Sequence, residues 1–212
     1  MRKKTMLTRS PLLVLLLLAL ASACDTEAPA PEPGVDTLSP QVPEAELERA
    51  REVADALGSE LQATLLATLQ DDGPLGAVEV CAVEAQEISR RHTDDEIVTR
   101  RTSLLTRNPV NDPDPYEAER LEALADAHER GEMPAEEAEL RTENGEQVLR
   151  YLRPIVIAEP CLTCHGDPGQ IDPSVLELIR DEYPEDRAVG YDAGDFRGIV
   201  SVRLRLNDRE DH

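Results

Sequence analysis

The feature that most constrains this chain is a five-residue run, Cys161-Leu162-Thr163-Cys164-His165. A Cys-x-x-Cys-His sequence is typical of covalent attachment of a c-type haem. Thiols at this spacing lie on neighbouring points of one helical turn, so both can reach the vinyl groups along one edge of a porphyrin. The histidine that follows then lies beneath the ring, where its imidazole can bind the iron. The sequence therefore predicts one covalently bound haem c.

Other interpretations of the same cysteines stay open. Cys161 and Cys164 can form a redox-active disulfide, or they can be two ligands of a zinc site completed by Cys81 and His165. The zinc interpretation is disfavoured because the adjacent Cys164 and His165 can hardly both point at one tetrahedral ion. A chance match to so short a motif is the third alternative. Export from the cytoplasm would favour haem among these.

The N-terminus has the pattern of a bacterial export signal. A basic start precedes an apolar run, residues 12–20, that is too short to span a bilayer comfortably. The basic residues are Arg2, Lys3, Lys4 and Arg9. The run ends in Ala21-Ser22-Ala23-Cys24, which resembles a lipoprotein cleavage site. We predict that residues 1–23 are a lipoprotein-type signal peptide and that Cys24 is lipidated. Ordinary cleavage with an incidental Cys24, or an uncleaved anchor, are the alternatives.

Lipidation at Cys24 predicts a protein tethered to the periplasmic side of a bacterial membrane. Asp25 resembles a signal for retention in the inner membrane, so we expect that membrane rather than the outer one. Residues 24–43 are rich in proline and acidic residues and are predicted to be an extended tether. The remainder, residues 44–212, has the length of one domain.

Charge and aromatic content both deviate from those of an ordinary domain. The chain has 44 acidic against 22 basic residues, a formal net charge of −22, which excludes a nucleic-acid partner because phosphates would be repelled. It has no Trp and one Phe, although a domain of this size normally builds its interior with several aromatic side chains. A buried haem would supply a large, flat, apolar body in their place.

Hydrophobic periodicity predicts an α+β fold with helices packed on a small antiparallel sheet. The predicted helices are Glu44–Gln70, Leu75–Arg91, Pro115–Arg130 and Pro173–Glu182, the first two packed together and the third exposed by its charge. The predicted strands are Glu146–Ile157 and Arg197–Leu206, with Asn144-Gly145 as a hairpin turn before the first. Residues 93–116 contain several prolines and are predicted to be mostly loop.

An iron held by His165 needs a ligand on its other side or an open position. The candidates are Cys81, His92, His128, Met133 and His212. Cys81 lies on the apolar face of the second predicted helix and is left unpaired if the motif cysteines carry haem. The alternative is an inert buried thiol, because free cysteine is among the most buried residue types. His92 and Met133 lie beside polar or loop residues and are weaker candidates.

Several stretches of the chain, in order, resemble the Tll0287-like (DUF3365) c-type haem-binding family, and the likeness runs over residues 45–206. These stretches are Ala77–Cys81, Arg101–Asn111, Pro154–Val156, Cys161–Pro168, Tyr183–Tyr191 and Gly198–Val202. The resemblance implies a PAS-like fold with one covalent haem, whose iron is bound by His165 and, on the other side, by Cys81. Members of the family occur alone or as sensor modules ahead of histidine kinases.

Three arginines in the predicted loop, Arg100, Arg101 and Arg107, are candidates to bind the haem propionates, since guanidinium groups suit carboxylates. A solvated loop or ion pairs with the many acidic residues is the alternative. The run Asp94-Asp95-Glu96 is more simply an exposed charged segment than an acid–base pair.

Ligation by His165 and Cys81 leaves no open iron position and therefore argues against an enzyme. A thiolate ligand favours the ferric state, so we expect a low reduction potential. The expected function is one-electron transfer with an unidentified redox partner near the membrane. The alternative is a redox or gas sensor that acts through a separate partner, and a purely structural haem is a third option.

Overall fold

The computed structural model describes residues 42–206. The predicted signal peptide, Cys24 and all but the last two residues of the predicted tether lie outside the described residues, as does His212. None of the helices in the described range combines the length and the apolar character that crossing a membrane requires.

Residues 42–206 form an α+β domain, as predicted. The helices are α1 (Glu44–Asp71), α2 (Gly73–Ala82), α3 (Glu84–Arg91), α4 (Pro115–Glu129), α5 (Leu162–His165) and α6 (Pro173–Glu182). The strands are β1 (Ile97–Thr102), β2 (Glu137–Glu143), β3 (Glu146–Val156) and β4 (Phe196–Arg205). Short 3-10 turns occur at Pro109–Asn111 and Glu159–Cys161.

Helix α1 agrees with the predicted helix Glu44–Gln70 to within one residue. Ala50, Ala54 and Leu57 recur at helical spacing and are completely buried, which makes α1 the main cover of the sheet. The chain leaves the helix at Asp72 and turns at Gly73, whose φ of 71° lies in the left-handed region that favours glycine.

The prediction of one continuous helix from Leu75 to Arg91 is wrong. The segment is divided at Val83, which has φ −113° and ψ −60° and separates α2 from α3. Helix α2 packs against α1 and α6, whereas α3 packs against β1 as well as α1. The break lets the two pieces meet different partners, and local periodicity carries no information about those partners.

The prediction that residues 93–116 are mostly loop is wrong for Ile97–Thr102, which pairs antiparallel with β4. This strand lacks a simple apolar alternation because Arg100 and Arg101 occupy adjacent positions on opposite faces. Tertiary pairing decides its conformation, as often happens for strands. The proline-rich remainder is irregular apart from the 3-10 turn at Pro109–Asn111, as the prolines predict.

The four strands form one antiparallel sheet in the order β1-β4-β3-β2. The hairpin predicted at Asn144-Gly145 is confirmed, with φ values of 54° and 86° that suit the tight turn between β2 and β3. The partner strand that the sequence did not identify is Glu137–Glu143.

Both faces of the sheet are covered. On one face α1 and α3 pack on Leu149, Tyr151, Val200, Val202 and Leu204. On the other face α4 packs on Leu152 and Ile199 through Leu121 and Leu124, both buried. The third predicted helix, α4, was expected to be surface-exposed, and this is wrong for the side that carries Leu121 and Leu124. The many charged residues of the helix made this narrow apolar stripe hard to recognise in the sequence.

A third apolar cluster lies between α2 and α6. Val78 of α2 packs with Val175, Ile179 and Tyr183, and Cys164 of the predicted attachment motif packs against the same cluster. The helices α2 and α6 therefore position the motif beside the sheet.

Candidate functional site

The Cys-x-x-Cys-His motif forms one short helical segment. Residues Glu159–Cys161 make a 3-10 turn, and Leu162–His165 follow directly as α5. Pro160 lies in the first turn, where the lack of an N–H costs no hydrogen bond. The N–H of Gly166 donates to the Leu162 carbonyl at 3.0 Å and closes the segment. The motif residues therefore lie on one continuous helical segment that ends before Gly166.

A cavity of about 240 Å³ lies against this motif. Its wall contains both motif cysteines, His165 and Cys81, so residues from α2 and from the motif meet at one space. The apolar part of the wall comes from α1, α2 and the end of β3: Leu65, Leu69, Ala77, Val78, Ile155, Val156 and Ile157. The roles of the four polar residues as haem ligands stay predictions, but the fold brings all four together.

The imidazole of His165 has a defined orientation. Its Nδ1 lies 2.6 Å from the Ala188 carbonyl oxygen, which can only accept, so Nδ1 carries the proton and Nε2 is left with a free lone pair. Burial, followed by the positive charges of Arg107 and Arg197, lowers the pKa of His165 to about 3. The ring is therefore neutral at neutral pH, the form in which histidine binds metals.

The segment that contains Ala188 also holds the backbone of the motif. The Gly190 N–H donates to the Gly166 carbonyl at 2.8 Å, and the Tyr191 N–H donates to the His165 carbonyl at 3.0 Å. The Tyr191 ring meets the His165 ring edge-on at a centroid separation of 6.4 Å. Sequence reasoning did not assign these residues a role, although they fall in one of the stretches that carried the family resemblance.

The thiol of Cys81 points to the cavity from α2 and is partly buried. Burial raises its pKa, and the charges of Arg101 and Arg107 oppose that effect. Burial likewise raises the pKa of Cys164, with Arg107 acting in the opposite direction.

The other proposed distal ligands that the structure describes lie elsewhere. His92 is bonded through Nε2 to Glu60 at 2.7 Å, and His128 stacks obliquely near Phe196 at 6.3 Å between ring centroids. Met133 packs against the cluster under α4. Among the described candidates, Cys81 alone lines the cavity.

Arg107 joins three segments around the motif. Its Nη2 donates to the Cys164 carbonyl at 2.5 Å and to the Ala188 carbonyl at 3.3 Å, and its Nε lies 3.3 Å from Asp186. Both side chains of this ion pair are about nine-tenths buried, at 10% and 9% exposure. Arg107 was predicted as a candidate to bind a propionate, but in the structure its guanidinium is bonded to the backbone of the motif and of its neighbouring segment.

The other two predicted arginines point in opposite directions. Arg100 bonds to the Asp112 carbonyl at 2.6 Å, lies 3.8 Å from Glu117 and does not line the cavity. Arg101 lines the cavity, and its buried Nε has no hydrogen-bond partner within the described residues. Arg197, which sequence reasoning placed only on a strand, also lines the cavity and stacks on Tyr191 at 5.4 Å.

The charge of the cavity wall is opposite to that of the chain. Arg101, Arg107 and Arg197 line it, and its described wall includes no Asp or Glu, although the chain carries a formal net charge of −22. Such a concentration of partly buried cations around one cavity favours an anionic ligand.

Gly198 sits at the edge of the cavity beside β1. Its φ is 153°, and a Cβ there would lie 2.3 Å from the Thr102 carbonyl oxygen. No other residue fits this close approach of backbones. A glycine inside an otherwise regular strand pattern is the sequence signal that could have identified it.

A family model described as Tll0287-like matches residues 40–205. The chain belongs to the Tll0287-like family. Among solved structures, the cyanobacterial heme-protein Tll0287 has a similar fold, with a TM-score of 0.56 and 23% sequence identity over 78% of this chain and 98% of that chain. No curated protein matches the chain.

The match confirms the family resemblance drawn from residues 45–206, and it places this chain's motif and Cys81 inside the family region. The geometry of this chain supports neither the disulfide nor the zinc interpretation of the motif cysteines. No disulfide joins the cysteines of residues 42–206. In the same range no three His, Cys, Asp or Glu side chains are grouped so as to hold a bare metal ion, so the zinc site has no support.

Proposed function

We propose that this protein is an exported c-type haem protein that transfers single electrons. In this proposal Cys161 and Cys164 would form the thioether bonds, and His165 and Cys81 would hold the iron. Lipidated Cys24 would tether the domain to the periplasmic side of a bacterial membrane, the inner one by preference. We also propose that the fold is PAS-like.

The observation that carries the proposal is the convergence of Cys81, from α2, with Cys161, Cys164 and His165 on one cavity. Cys81 lies 80 residues before the motif that contains the other three, and a haem held by two thioethers and two protein ligands requires such a set. The similarity to a solved structure that is named a heme-protein supports the same conclusion.

The residues present fit a haem in two further respects. The apolar wall from Leu65, Val78 and Ile155 suits a porphyrin ring, and the buried, unpartnered Nε of Arg101 suits a propionate. The shortage of aromatic side chains is consistent with a cofactor that completes the interior.

When bound, the haem supplies a ferric/ferrous couple that takes up and releases one electron. The chain's own residues prepare the site. The Ala188 carbonyl fixes the tautomer of His165 so that Nε2 is the available ligand atom. Arg107 holds the motif backbone through the Cys164 carbonyl. The apolar side chains of the wall would shield the bound ring from water.

With His165 and Cys81 both bound to iron, the proposal leaves no position for substrate and assigns no catalytic residue. The partner in this proposal is a redox protein, and a nucleic-acid partner is disfavoured by the charge of the chain.

A sensor is the second candidate function, and one observation favours it. Cys81 lies in the last turn of α2, and the helix breaks at Val83, which is 67% exposed. Cys81 beside such a break would be free to move with α2 when it is not held as a ligand, and that movement would signal a redox change or a bound gas to a separate partner.

The first test is expression with a working cytochrome c maturation system. The matured protein should gain the mass of one haem that resists denaturation and acid–acetone extraction. The double variant Cys161→Ala/Cys164→Ala should be obtained without covalent haem. A colourless wild-type protein at the mass of the polypeptide plus any lipid would refute the proposal.

The second test is an optical and EPR comparison of wild type with Cys81→Ser. Wild type should show a low-spin thiolate signature, and the variant should lose it. His92→Ala and Met133→Leu are matched controls, since neither residue lines the cavity. An unchanged spectrum in Cys81→Ser would refute the ligand assignment while leaving the covalent haem intact.

Spectroelectrochemistry with CO and NO separates the carrier from the sensor. A reversible couple at low potential without ligand loss supports the carrier. Loss of the thiolate on reduction, followed by gas binding, supports the sensor. Lipidation is tested separately by metabolic labelling with a fatty acid, which Cys24→Ala should abolish.

A further inference from the structure

The cavity wall contains one cation for which the described residues supply no hydrogen-bond acceptor. Arg101 extends from β1 into the wall, and its Nε is buried without a hydrogen-bond partner. Within residues 42–206 no carboxylate or carbonyl is bonded to its guanidinium. The groups that face it include Cys81 and Tyr183, together with the like-charged Arg197. A buried guanidinium without a carboxylate is costly, which indicates that a ligand supplies the missing anion.

The neighbouring cations already have partners. Arg107 is bonded to the Cys164 and Ala188 carbonyls and paired with Asp186. Arg197 donates to the Leu105 carbonyl at 3.1 Å and stacks on Tyr191. The Nε of Arg107 is likewise buried without a hydrogen bond, but it lies 3.3 Å from the Asp186 carboxylate. Of the three wall arginines, Arg101 is therefore the one that has no acceptor among the described residues.

We propose that Arg101 binds a carboxylate of the porphyrin and thereby selects a porphyrin with free propionates. This proposal rests on the proposed haem function and assigns the residue that recognises the acidic edge of the ligand. A guanidinium offers paired donors in the geometry of a carboxylate, so the contact is a charge-assisted hydrogen bond inside a largely apolar wall.

Arg100 provides a matched control next to Arg101. It lies on the opposite face of β1, bonds to the Asp112 carbonyl and does not line the cavity. Arg100→Met removes the same charge from the same strand without touching the proposed contact. Arg101→Lys keeps the charge but loses the paired donors.

The first measurement is resonance Raman spectroscopy of the matured proteins. The propionate bending band should shift in Arg101→Met and stay at its wild-type position in Arg100→Met, with a smaller shift in Arg101→Lys. An unshifted band in Arg101→Met would overturn the proposal.

The second measurement uses reduced, haem-free chain and iron mesoporphyrin IX, which lacks vinyl groups and cannot form thioethers. Wild type should bind this diacid about tenfold or more tightly than its dimethyl ester, the range of one charge-assisted bond. Arg101→Met should remove most of that preference, and Arg100→Met should keep it.

The outcomes distinguish this proposal from the function on which it rests. If wild type binds neither porphyrin and carries no covalent haem after maturation, the haem function fails. If wild type binds both porphyrins equally, or if Arg101→Met keeps the preference, only the Arg101 proposal fails. A loss of the thiolate spectrum in Arg101→Met with an unchanged preference would assign the guanidinium to Cys81 and also overturn it.

Discussion

The two halves of α1 have different surroundings, which we call the packed end (the first half, against the strands) and the cavity end (the second half, beside the cavity). Its first half buries Ala50, Ala54 and Leu57 completely against strand residues such as Leu149 and Tyr151. Its second half lines the cavity with Leu65 and Leu69, and Leu66 beside them is 44% exposed. One end packs on strand side chains, and the other borders the cavity.

The two ends also differ in the interactions that hold them. The packed end depends on buried apolar area, which stabilises it without a ligand. The cavity end has the smaller apolar cluster between α2 and α6, and polar contacts hold the motif there: Arg107 to the Cys164 carbonyl, His165 to Ala188 and Gly190 to Gly166. An apolar ring in the cavity would give the second half of α1 the partner that the first half finds in the strands. Under the proposed haem function, the core of this fold would be shared between the chain and its ligand.

Preventing haem attachment is the change with the largest expected effect. Without haem, amides of residues 65–82 and 159–166 should lose about 3 kcal/mol or more of protection against hydrogen exchange, while residues 47–57 and 148–152 stay close to wild type. Hydrogen-exchange mass spectrometry of matured and haem-free protein measures both ends together. Equal loss at both ends would show that they are one cooperative unit and would break the comparison.

Arg107→Met tests the polar contacts at the cavity end. The substitution leaves Asp186 buried without its cation, and removing one partner of such a pair costs about 3–5 kcal/mol. Urea denaturation of the matured protein measures the loss. Arg187→Met is the control, because Arg187 is 54% exposed and its pair with Asp112 is 3.5 Å long, so it should cost less than about 1 kcal/mol. Similar losses in both variants would contradict a special role for Arg107.

Much of the packed end could be predicted from sequence. The spacing of Ala50, Ala54 and Leu57 reports one helix face, and Asn144-Gly145 reports a tight turn, because both signals are local. The strand β1 and the break at Val83 could not be predicted, because they depend on which elements pack against them. The buried side of α4 was missed because charged residues surround Leu121 and Leu124.

The candidate site shows the same division. The motif at Cys161–His165 could be recognised in the sequence because its residues are consecutive and their spacing alone indicates haem attachment. Cys81 was singled out by its apolar helix face and by the resemblance, and the fold places it on the same cavity. The different settings of Arg100, Arg101 and Arg107 could not be read from the chain, since the alternating faces of β1 are defined only by its pairing with β4.

Leucine truncations compare the ends directly. Leu57→Ala should cost about 2–5 kcal/mol in both matured and haem-free protein, because it leaves a hole in a filled core. Leu65→Ala should cost less than about 1 kcal/mol in haem-free protein and more in matured protein, where the ligand would supply the lost contacts. Chemical denaturation of the four samples gives these differences. A cost for Leu65→Ala that is large and independent of haem would show that the chain itself fills the cavity end.

The smallest expected effect comes from a site that touches neither end. Asp114 caps α4 by accepting from the Glu117 N–H at 2.7 Å. Its carboxylate is also bonded to Arg150, which lies on the face of the sheet that α4 covers and that α1 does not touch. Burial acts to raise the pKa of Asp114, but the bonds from Arg150 and Glu117 outweigh it and lower the pKa. The resulting stability is present above the ordinary carboxyl pKa of about 4 and is lost as pH falls through the lower folded-state value.

Asp114→Asn keeps a capping oxygen but removes the charge. We expect it to cost about 1 kcal/mol at about pH 7, since the pair is partly exposed and Arg150 keeps Glu143 at 3.1 Å. The cost should shrink toward about pH 3 as the wild-type carboxyl takes up its proton. Urea denaturation at both pH values, with and without haem, measures it. Because this face touches neither end of α1, the cost should be the same in matured and haem-free protein. A dependence on haem would mean that the two faces of the sheet are coupled, and the contrast between the ends of α1 would then extend through the whole domain.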